Sequence, residues 1–368
     1  MQHPISGGLK TRCPDLPPSF AAVLLLLLGL SMVGSVAALP AAQAIMAAHL
    51  AATPKTTDLA LYKSIATQVR EGRSYYAAAT ETQRQEGYPV RPFFTVRLPT
   101  LTWTIALISS NGAHLLIVLL AAATVAAWGV WLATILSPSV TWGAGVLAIG
   151  LGVLPATLEP SVWFTEAWAG VLIALSLALR RPDRWWPSVA VALAAVLIRE
   201  LALLYLIAMG TSAALAGRRR ESLGWGIAIG IFALVFFWHA QAILALIRPG
   251  DPVSPGWSGH GGWAMFIAAS RELTTLTALP PIAVAALLPF CYFGLAASNT
   301  GVGFRALITL TIFTLLLVVF ARPDNHYWIL MIGPILSLGL MFAPFGVADL
   351  VKRIRRRGRS HSKQAAKA

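Results

Sequence analysis

The chain has 368 residues, of which 57% are hydrophobic and only 11% are charged, and its mean hydropathy is +0.71. Soluble proteins carry roughly a quarter charged residues, so this composition excludes an ordinary soluble enzyme and indicates a polytopic membrane protein. Lys and Arg number 28 against 14 Asp and Glu, a net charge of +14. In a membrane protein, an excess of Lys and Arg is expected in the cytoplasmic loops, so we use it first to assign the topology. No nucleic-acid partner is expected.

Ten apolar segments are predicted to cross the membrane as helices, since about 20 apolar residues span the hydrocarbon core. They lie near residues 19–39, 112–136, 140–157, 163–179, 185–198, 201–217, 222–247, 277–297, 304–321 and 328–348. The first is interpreted as an uncleaved anchor because it is long for the apolar region of a signal peptide, and cleavage is the alternative. We predict one transmembrane domain over residues 1–350 and a basic cytoplasmic tail over residues 351–368.

The one long hydrophilic stretch, residues 41–98, is predicted to form the first extracytoplasmic loop. Apolar side chains at four-residue spacing predict an amphipathic helix over residues 58–71. These side chains are Leu61, Ile65 and Val69. Thr57 or Asp58 occupies the N-cap position, and Gly72 ends the helix. We expect this helix to lie on the outer membrane face.

Three prolines break any helix near the end of this loop: Pro89, Pro92 and Pro99. The apolar stretch that follows, Leu101 to Ile108, is too short to span a membrane. It is therefore predicted to re-enter the membrane or to lie at its interface.

Two arginine clusters, at residues 180–184 and 218–220, are both predicted to be cytoplasmic. An even number of passes must then separate them, so residues 185–217 are interpreted as two short helices that meet at Arg199 and Glu200. This pair is predicted to lie below the outer membrane surface in a water-filled cavity with a functional role. The alternative is that the two charges only neutralise each other. In the ten-pass topology, basic residues of the cytoplasmic segments outnumber those of the short outer loops by 17 to 4.

The loop also carries a pattern of residues that is similar to a known family. Asp58-x-x-x-Tyr62 is followed by Gly72-x-x-Tyr75-Tyr76, then by Gly-Tyr-Pro and by Arg-x-Pro before the second span. This order resembles the integral-membrane C-type glycosyltransferases, which use polyprenyl-phosphate-linked sugars. The resemblance implies an essential acidic residue in the first outer loop, a second in the next outer loop, and a basic or polar outer site for the lipid phosphate. Asp58 and Glu166 match the two acidic positions, and Tyr62 of the same pattern is a candidate substrate contact.

The predicted chemistry needs an acceptor hydroxyl made nucleophilic and a leaving phosphate held as its charge develops. Asp58 is the candidate base, and helix capping is its alternative role. Glu166 is predicted to position the acceptor or to support Asp58, with a structural role as the alternative. Arg199 is predicted to reach the sugar phosphate while Glu200 orients it.

Two further outer regions carry polar residues. In the last outer turn, Arg322 and His326 are phosphate-site candidates, and Tyr327 is either a substrate contact or part of an interfacial aromatic belt. The loop from Arg248 to Trp263 is rich in turn residues and is interpreted as a mobile lid or as a plain linker. Asp251 and His260 in this loop lack a second pair of ligands, so no metal site is expected.

Together these features predict an all-helical, ten-pass inverting glycosyltransferase of the C-type class, with short interfacial helices in its first outer loop. Its partners would be a polyprenyl-phosphate sugar donor, a glycan, lipid or protein acceptor, and membrane lipids, with no cofactor. The location would be a bacterial inner membrane with both termini cytoplasmic. The alternatives are a transporter or flippase of a lipid-linked or anionic substrate, and a non-catalytic assembly subunit.

Overall fold

The computed structural model describes residues 11–51, 57–136, 140–257 and 259–365, with side chains described as far as residue 356. This part of the chain contains α-helices and short 3-10 helices, and no β-strand is present among the described residues. The α-helices are α1 Pro18–Ala37, α2 Leu39–Ala51, α3 Asp58–Arg70, α4 Tyr75–Gln85, α5 Thr100–Ala133, α6 Val140–Val153, α7 Thr165–Leu179, α8 Trp186–Ile198, α9 Leu203–Leu215, α10 Arg219–Leu244, α11 Gly262–Leu273, α12 Pro281–Ala297, α13 Gly301–Phe320 and α14 Gly333–Ala365. The predicted all-helical class is confirmed.

Six helical segments of the described chain are long and apolar enough to cross a membrane. They are Pro18–Ala51, Phe93–Ala133, Val140–Thr157, Arg219–Leu244, Gly301–Phe320 and Gly333–Arg356. Four shorter apolar helices, α7, α8, α9 and α12, have 13 to 17 residues and coincide with four of the other predicted spans. A helix of 13 residues is about 20 Å long, which is less than the hydrocarbon thickness. The ten-pass count therefore stays a prediction, whereas membrane character is supported by the long helices.

Some predicted helix bounds are wrong. Leu101 to Ile108 forms the first part of α5, which is interrupted at Ser109, where φ is 67° and ψ is 167°. The last predicted span starts too early, because Pro323–Met331 is a 3-10 helix and α14 begins at Gly333. Helix α11 was not predicted.

The amphipathic helix of the loop is confirmed as α3. The side chain of Thr57 caps it by accepting a hydrogen bond from Ala60 N, and Gly72 follows it with a φ of +95°. Its apolar side packs against protein, since Leu61 and Ile65 are buried with residues of α4 and with Ile243 of α10. Helix α4 was missed, because its sequence carries few apolar side chains larger than alanine.

The described residues form two compact units that interleave along the chain. Unit 1 comprises residues 1–47, 125–152 and 260–368, and unit 2 comprises residues 48–124 and 153–259. The predicted single domain stays a prediction. The predicted basic tail falls in unit 1, where α14 continues to Ala365, and its last residues, 366–368, lie outside the described chain together with residues 1–10.

Unit 1 is held together by close contact between α12 and α14. A Cβ atom at Gly294 would overlap the carbonyl oxygen of Gly339, so only glycine permits this approach of the two helices. Helix α1 joins them through Ser35, whose hydroxyl donates to Ala285 O at 2.5 Å. Both cysteines, Cys13 and Cys291, are free and buried here.

Unit 2 is built around α7, which is buried on every side from Thr165 to Ala178. Helices α7 and α8 pack on each other, so the start of α7 and the end of α8 meet at one end of the unit. At the other end, Arg180 forms a buried bidentate pair with Glu221, with Nη2 to Oε2 at 2.6 Å. Because this pair brings residues 180 and 221 together, the chain between them must turn back, as the two-helix interpretation of residues 185–217 requires.

The loop that follows α10 is fastened to α4. Asp251, which is 4% exposed, receives two hydrogen bonds from Arg84, at 2.5 and 3.0 Å, and one from Arg248 N at 2.8 Å. Backbone hydrogen bonds from Val90 N and Arg91 N to Pro252 O add to this attachment. These contacts hold the segment around Asp251 in a defined position, and they use the carboxylate of Asp251 for a salt bridge.

Candidate active site

Four charged side chains of unit 2 meet where α7 begins, α8 ends and α5 is about to begin. Glu166 lies in the first turn of α7, and Arg199 terminates α8 with an extended backbone, φ −137° and ψ 111°. Glu200 opens the following 3-10 turn. Arg97 lies shortly before α5, and Thr100 Oγ1 joins the two regions by donating to Leu197 O at 2.6 Å. We call Arg97, Glu166, Arg199 and Glu200 the charge cluster.

The charges in this cluster alternate. Arg199 Nε lies 2.6 Å from Glu166 Oε1, and Arg199 Nη1 pairs with Glu200 Oε1. Arg97 approaches both carboxylates from the other side, with Nη1 3.5 Å from Glu200 and Nη2 3.7 Å from Glu166. Two cations and two anions give a net charge of zero. A buried charge is costly unless it is paired with a charge of opposite sign. The pairing within the cluster explains how unit 2 can bury four charged side chains.

Exposure distinguishes the two arginines. The side chain of Arg199 is 1% exposed, whereas that of Arg97 is 19% exposed. Arg97 is therefore the more accessible of the two guanidinium groups, whereas Arg199 is enclosed and contacts both glutamates.

Tyr62 connects the cluster to Asp58. Burial raises the pKa of its hydroxyl to about 12; Arg97 opposes this shift, and the nearby carboxylates of Asp58 and Glu166 add to it. The ring of Tyr62 also packs edge-on against Phe164, with 6.4 Å between centroids. Tyr62 is therefore neutral at physiological pH, and it is close enough to Asp58 and Glu166 for both carboxylates to raise its pKa.

Asp58 is not the helix cap, because Thr57 performs that role. Its Oδ1 instead accepts a hydrogen bond from the Tyr88 hydroxyl at 2.8 Å. Tyr88 follows Gly87, whose φ of +75° turns the chain after α4. The hydrogen bond from Tyr88 orients the Asp58 carboxylate. Of the two roles that the sequence left open for Asp58, helix cap and base, the first is performed by Thr57.

Five of the predicted site residues thus lie together in unit 2: Asp58, Tyr62, Glu166, Arg199 and Glu200. Arg97 was missed as a site residue, although its position directly before an apolar span was a usable signal. The other three predicted residues belong to unit 1, where Arg322 pairs with Asp324 at 2.6 Å and His326 lies 3.7 Å from Glu272. Tyr327 is 8% exposed and packs edge-on against His326. Their membership in one donor site stays a prediction.

Comparisons of the chain with protein-family models, with curated proteins and with solved structures found no match.

Proposed function

We propose that this protein is a membrane glycosyltransferase that moves a sugar from a polyprenyl-phosphate-linked donor to a glycan, lipid or protein hydroxyl on the extracytoplasmic face of a bacterial inner membrane. One observation carries the proposal. The Asp58 carboxylate accepts a hydrogen bond from Tyr88, and Thr57 rather than Asp58 caps α3. Asp58 lies one helical turn from Tyr62, which also interacts with Arg97. A carboxylate base and an accessible guanidinium are thus present around one tyrosine, as the reaction requires.

In the proposed reaction the acceptor oxygen attacks the anomeric carbon and transfers its proton to Asp58. The bond between the anomeric carbon and the phosphate oxygen breaks, and the polyprenyl phosphate leaves with both electrons of that bond. Direct displacement inverts the configuration of the sugar. Arg97 contacts the departing phosphate, and Glu166, Arg199 and Glu200 hold Arg97 in place.

An apolar groove supports a lipid-linked donor. It has a volume of about 360 Å³ and lies along α10. Its lining consists of Phe93, Leu203, Ile229, Phe232, Ala233, Phe236, Phe237 and Ala240. An apolar groove of this kind can take the isoprenoid chain of a lipid-linked donor.

The experiment that tests the proposal is transfer of a radiolabelled sugar from synthetic polyprenyl-phosphate donors to membrane extracts, with and without the purified protein. Arg97→Ala should weaken donor binding about ten- to a hundredfold, because a charged hydrogen bond to phosphate is worth about 1.5–3 kcal/mol. Arg73→Ala is the matched control, since it removes an exposed arginine of the same loop. Movement of the intact donor across vesicles without transfer would instead identify a transporter.

A further inference from the structure

Two buried side chains form hydrogen bonds with the backbone at Val96 and Arg97. His239 Nε2 lies 3.0 Å from Val96 O, and the Tyr75 hydroxyl donates to Arg97 O at 2.6 Å. A carbonyl oxygen can only accept, so Nε2 of His239 carries the hydrogen and donates it. His239 belongs to α10 and is 1% exposed.

The imidazole of His239 is fixed by aromatic rings. Its centroid is 5.6 Å from that of Tyr76 and 6.2 Å from that of Phe236, whose ring is stacked at an interplanar angle of 20°. The ring centroid of Phe93 lies 6.5 Å from that of His239. The direction in which Nε2 donates to the Val96 carbonyl is therefore set by packing.

A packing role alone does not explain a histidine at this place. Its Nδ1 is buried and has no hydrogen-bond partner among the described residues. A buried polar atom without a partner destabilises the fold, and an apolar residue of similar volume would avoid that cost. The benefit of a histidine here must therefore come from the other ring nitrogen, Nε2. Its one described hydrogen bond is to the carbonyl of Val96, the residue directly before Arg97.

We infer that His239 is the positioning residue for Arg97. By holding the Val96 carbonyl, it sets the backbone from which the guanidinium of Arg97 reaches Glu166 and Glu200 and, in the reaction, the lipid phosphate. This inference deepens the proposed function and rests on it for its catalytic consequence. The structural coupling of His239 to Arg97 can be tested without any activity.

The activity test compares two substitutions. His239→Leu removes the donor, whereas His239→Gln retains an Nε2–H group that can reach the same carbonyl. We expect His239→Leu to lower kcat about tenfold with the acceptor KM unchanged. The reason is that Arg97 loses the alignment that one hydrogen bond provides. His239→Gln should recover most of that loss. Equal kcat values for the two variants would overturn the inference.

The matched control is His114→Leu. His114 also lies in an apolar helix of unit 2 and also contacts a backbone carbonyl, that of Thr157 at 2.9 Å. Its loss should leave kcat within about twofold of the unsubstituted protein, the scatter expected for sites outside the reaction. A tenfold loss in His114→Leu would mean that removal of any membrane histidine has this effect, and it would overturn the inference.

The second test uses thermal unfolding of the purified protein in detergent. Arg97→Met should lower Tm by less in the His239→Leu background than in the unsubstituted protein, because Arg97 is already displaced there. In the His239→Gln background the full decrease should return. Equal decreases in all three backgrounds would refute the coupling. Coupling observed in a protein that transfers no sugar would retain His239 as the positioning residue while the proposed glycosyltransferase function fails.

Discussion

At the residue scale, Asp58 gives the sharpest test of the proposed chemistry. Asn at this position keeps the oxygen that accepts from Tyr88, and the cap is supplied by Thr57 in any case. Asp58→Asn therefore keeps the hydrogen bond from Tyr88 and the cap, and it removes the carboxylate that would accept the proton. We expect normal membrane abundance and donor binding, with transfer reduced at least a hundredfold, the lower end of what a general base typically contributes.

The control for that prediction is Thr57→Ala. It removes the cap of α3, which costs about 1 kcal/mol of stability, and leaves the carboxylate in place. We expect a lower Tm with nearly normal transfer at a temperature where the protein is folded. If Asp58→Asn retains transfer and Glu166→Gln does as well, the glycosyltransferase proposal is left without a catalytic carboxylate.

Ser109 makes a separate prediction about backbone strain. Its φ of 67° and ψ of 167° are favourable only for glycine, and such a conformation costs about 1–3 kcal/mol in other residues. The hydrogen bond from Gly112 N to Ser109 Oγ, at 3.3 Å, offsets part of this cost. Ser109→Gly should raise Tm by relieving the strain, and Ser109→Ala should lower it by losing the bond without relief. The reverse order in a thermal unfolding assay would contradict this account.

At the element scale, the salt bridge between α4 and the Asp251 loop predicts a specific pH dependence. The hydrogen bonds from Arg84 lower the pKa of Asp251 from 3.8 to about 2. A depressed carboxyl pKa stabilises the fold above the unfolded-state pKa, and the effect is lost as pH falls through the folded-state value. The Tm difference between the unsubstituted protein and Asp251→Asn should be constant above about pH 5 and should narrow between about pH 4 and pH 2.

Glu71→Gln is the control for this measurement, because Glu71 is an exposed carboxylate at the end of α3. It should leave Tm unchanged across the same pH range. A difference for Asp251→Asn that already narrows between pH 8 and pH 6 would assign the dependence to another titrating group.

At the scale of the whole molecule, the testable quantity is topology. Reporter fusions after Arg184, Arg220 and Lys352 should report the cytoplasm, because basic segments are retained there. Fusions near Glu81, Gly256 and Asn325 should report the outside. An external reporter after Arg220 would remove the two-pass interpretation of residues 185–217, and the proposed outer location of Arg199 would be lost with it.

The local patterns were sufficient for much of the helical structure. Helix α3 was predicted to within one residue, because its bounds depend on a local capping residue, a local glycine and apolar spacing. Helix α4 was missed because its alanine-rich sequence has no strong apolar periodicity. Helix α11 was missed as well; it begins where the segment interpreted as a loop, Arg248 to Trp263, ends. The last span was predicted to start too early, since hydropathy does not distinguish a 3-10 helix from an α-helix.

The sequence by itself determined that this chain is helical and apolar enough for a membrane, and it singled out Asp58, Tyr62, Glu166, Arg199 and Glu200. Composition, apolar periodicity and isolated charges in apolar segments are local properties that can be interpreted without a fold. Only the tertiary structure decided that Arg97 completes the cluster and that His239 holds its backbone. Arg97 and Glu200 are 103 positions apart in the chain, and His239 and Val96 are 143 apart. Contacts over such separations depend on how helices pack, and no local pattern encodes which distant side chain will share a buried charge.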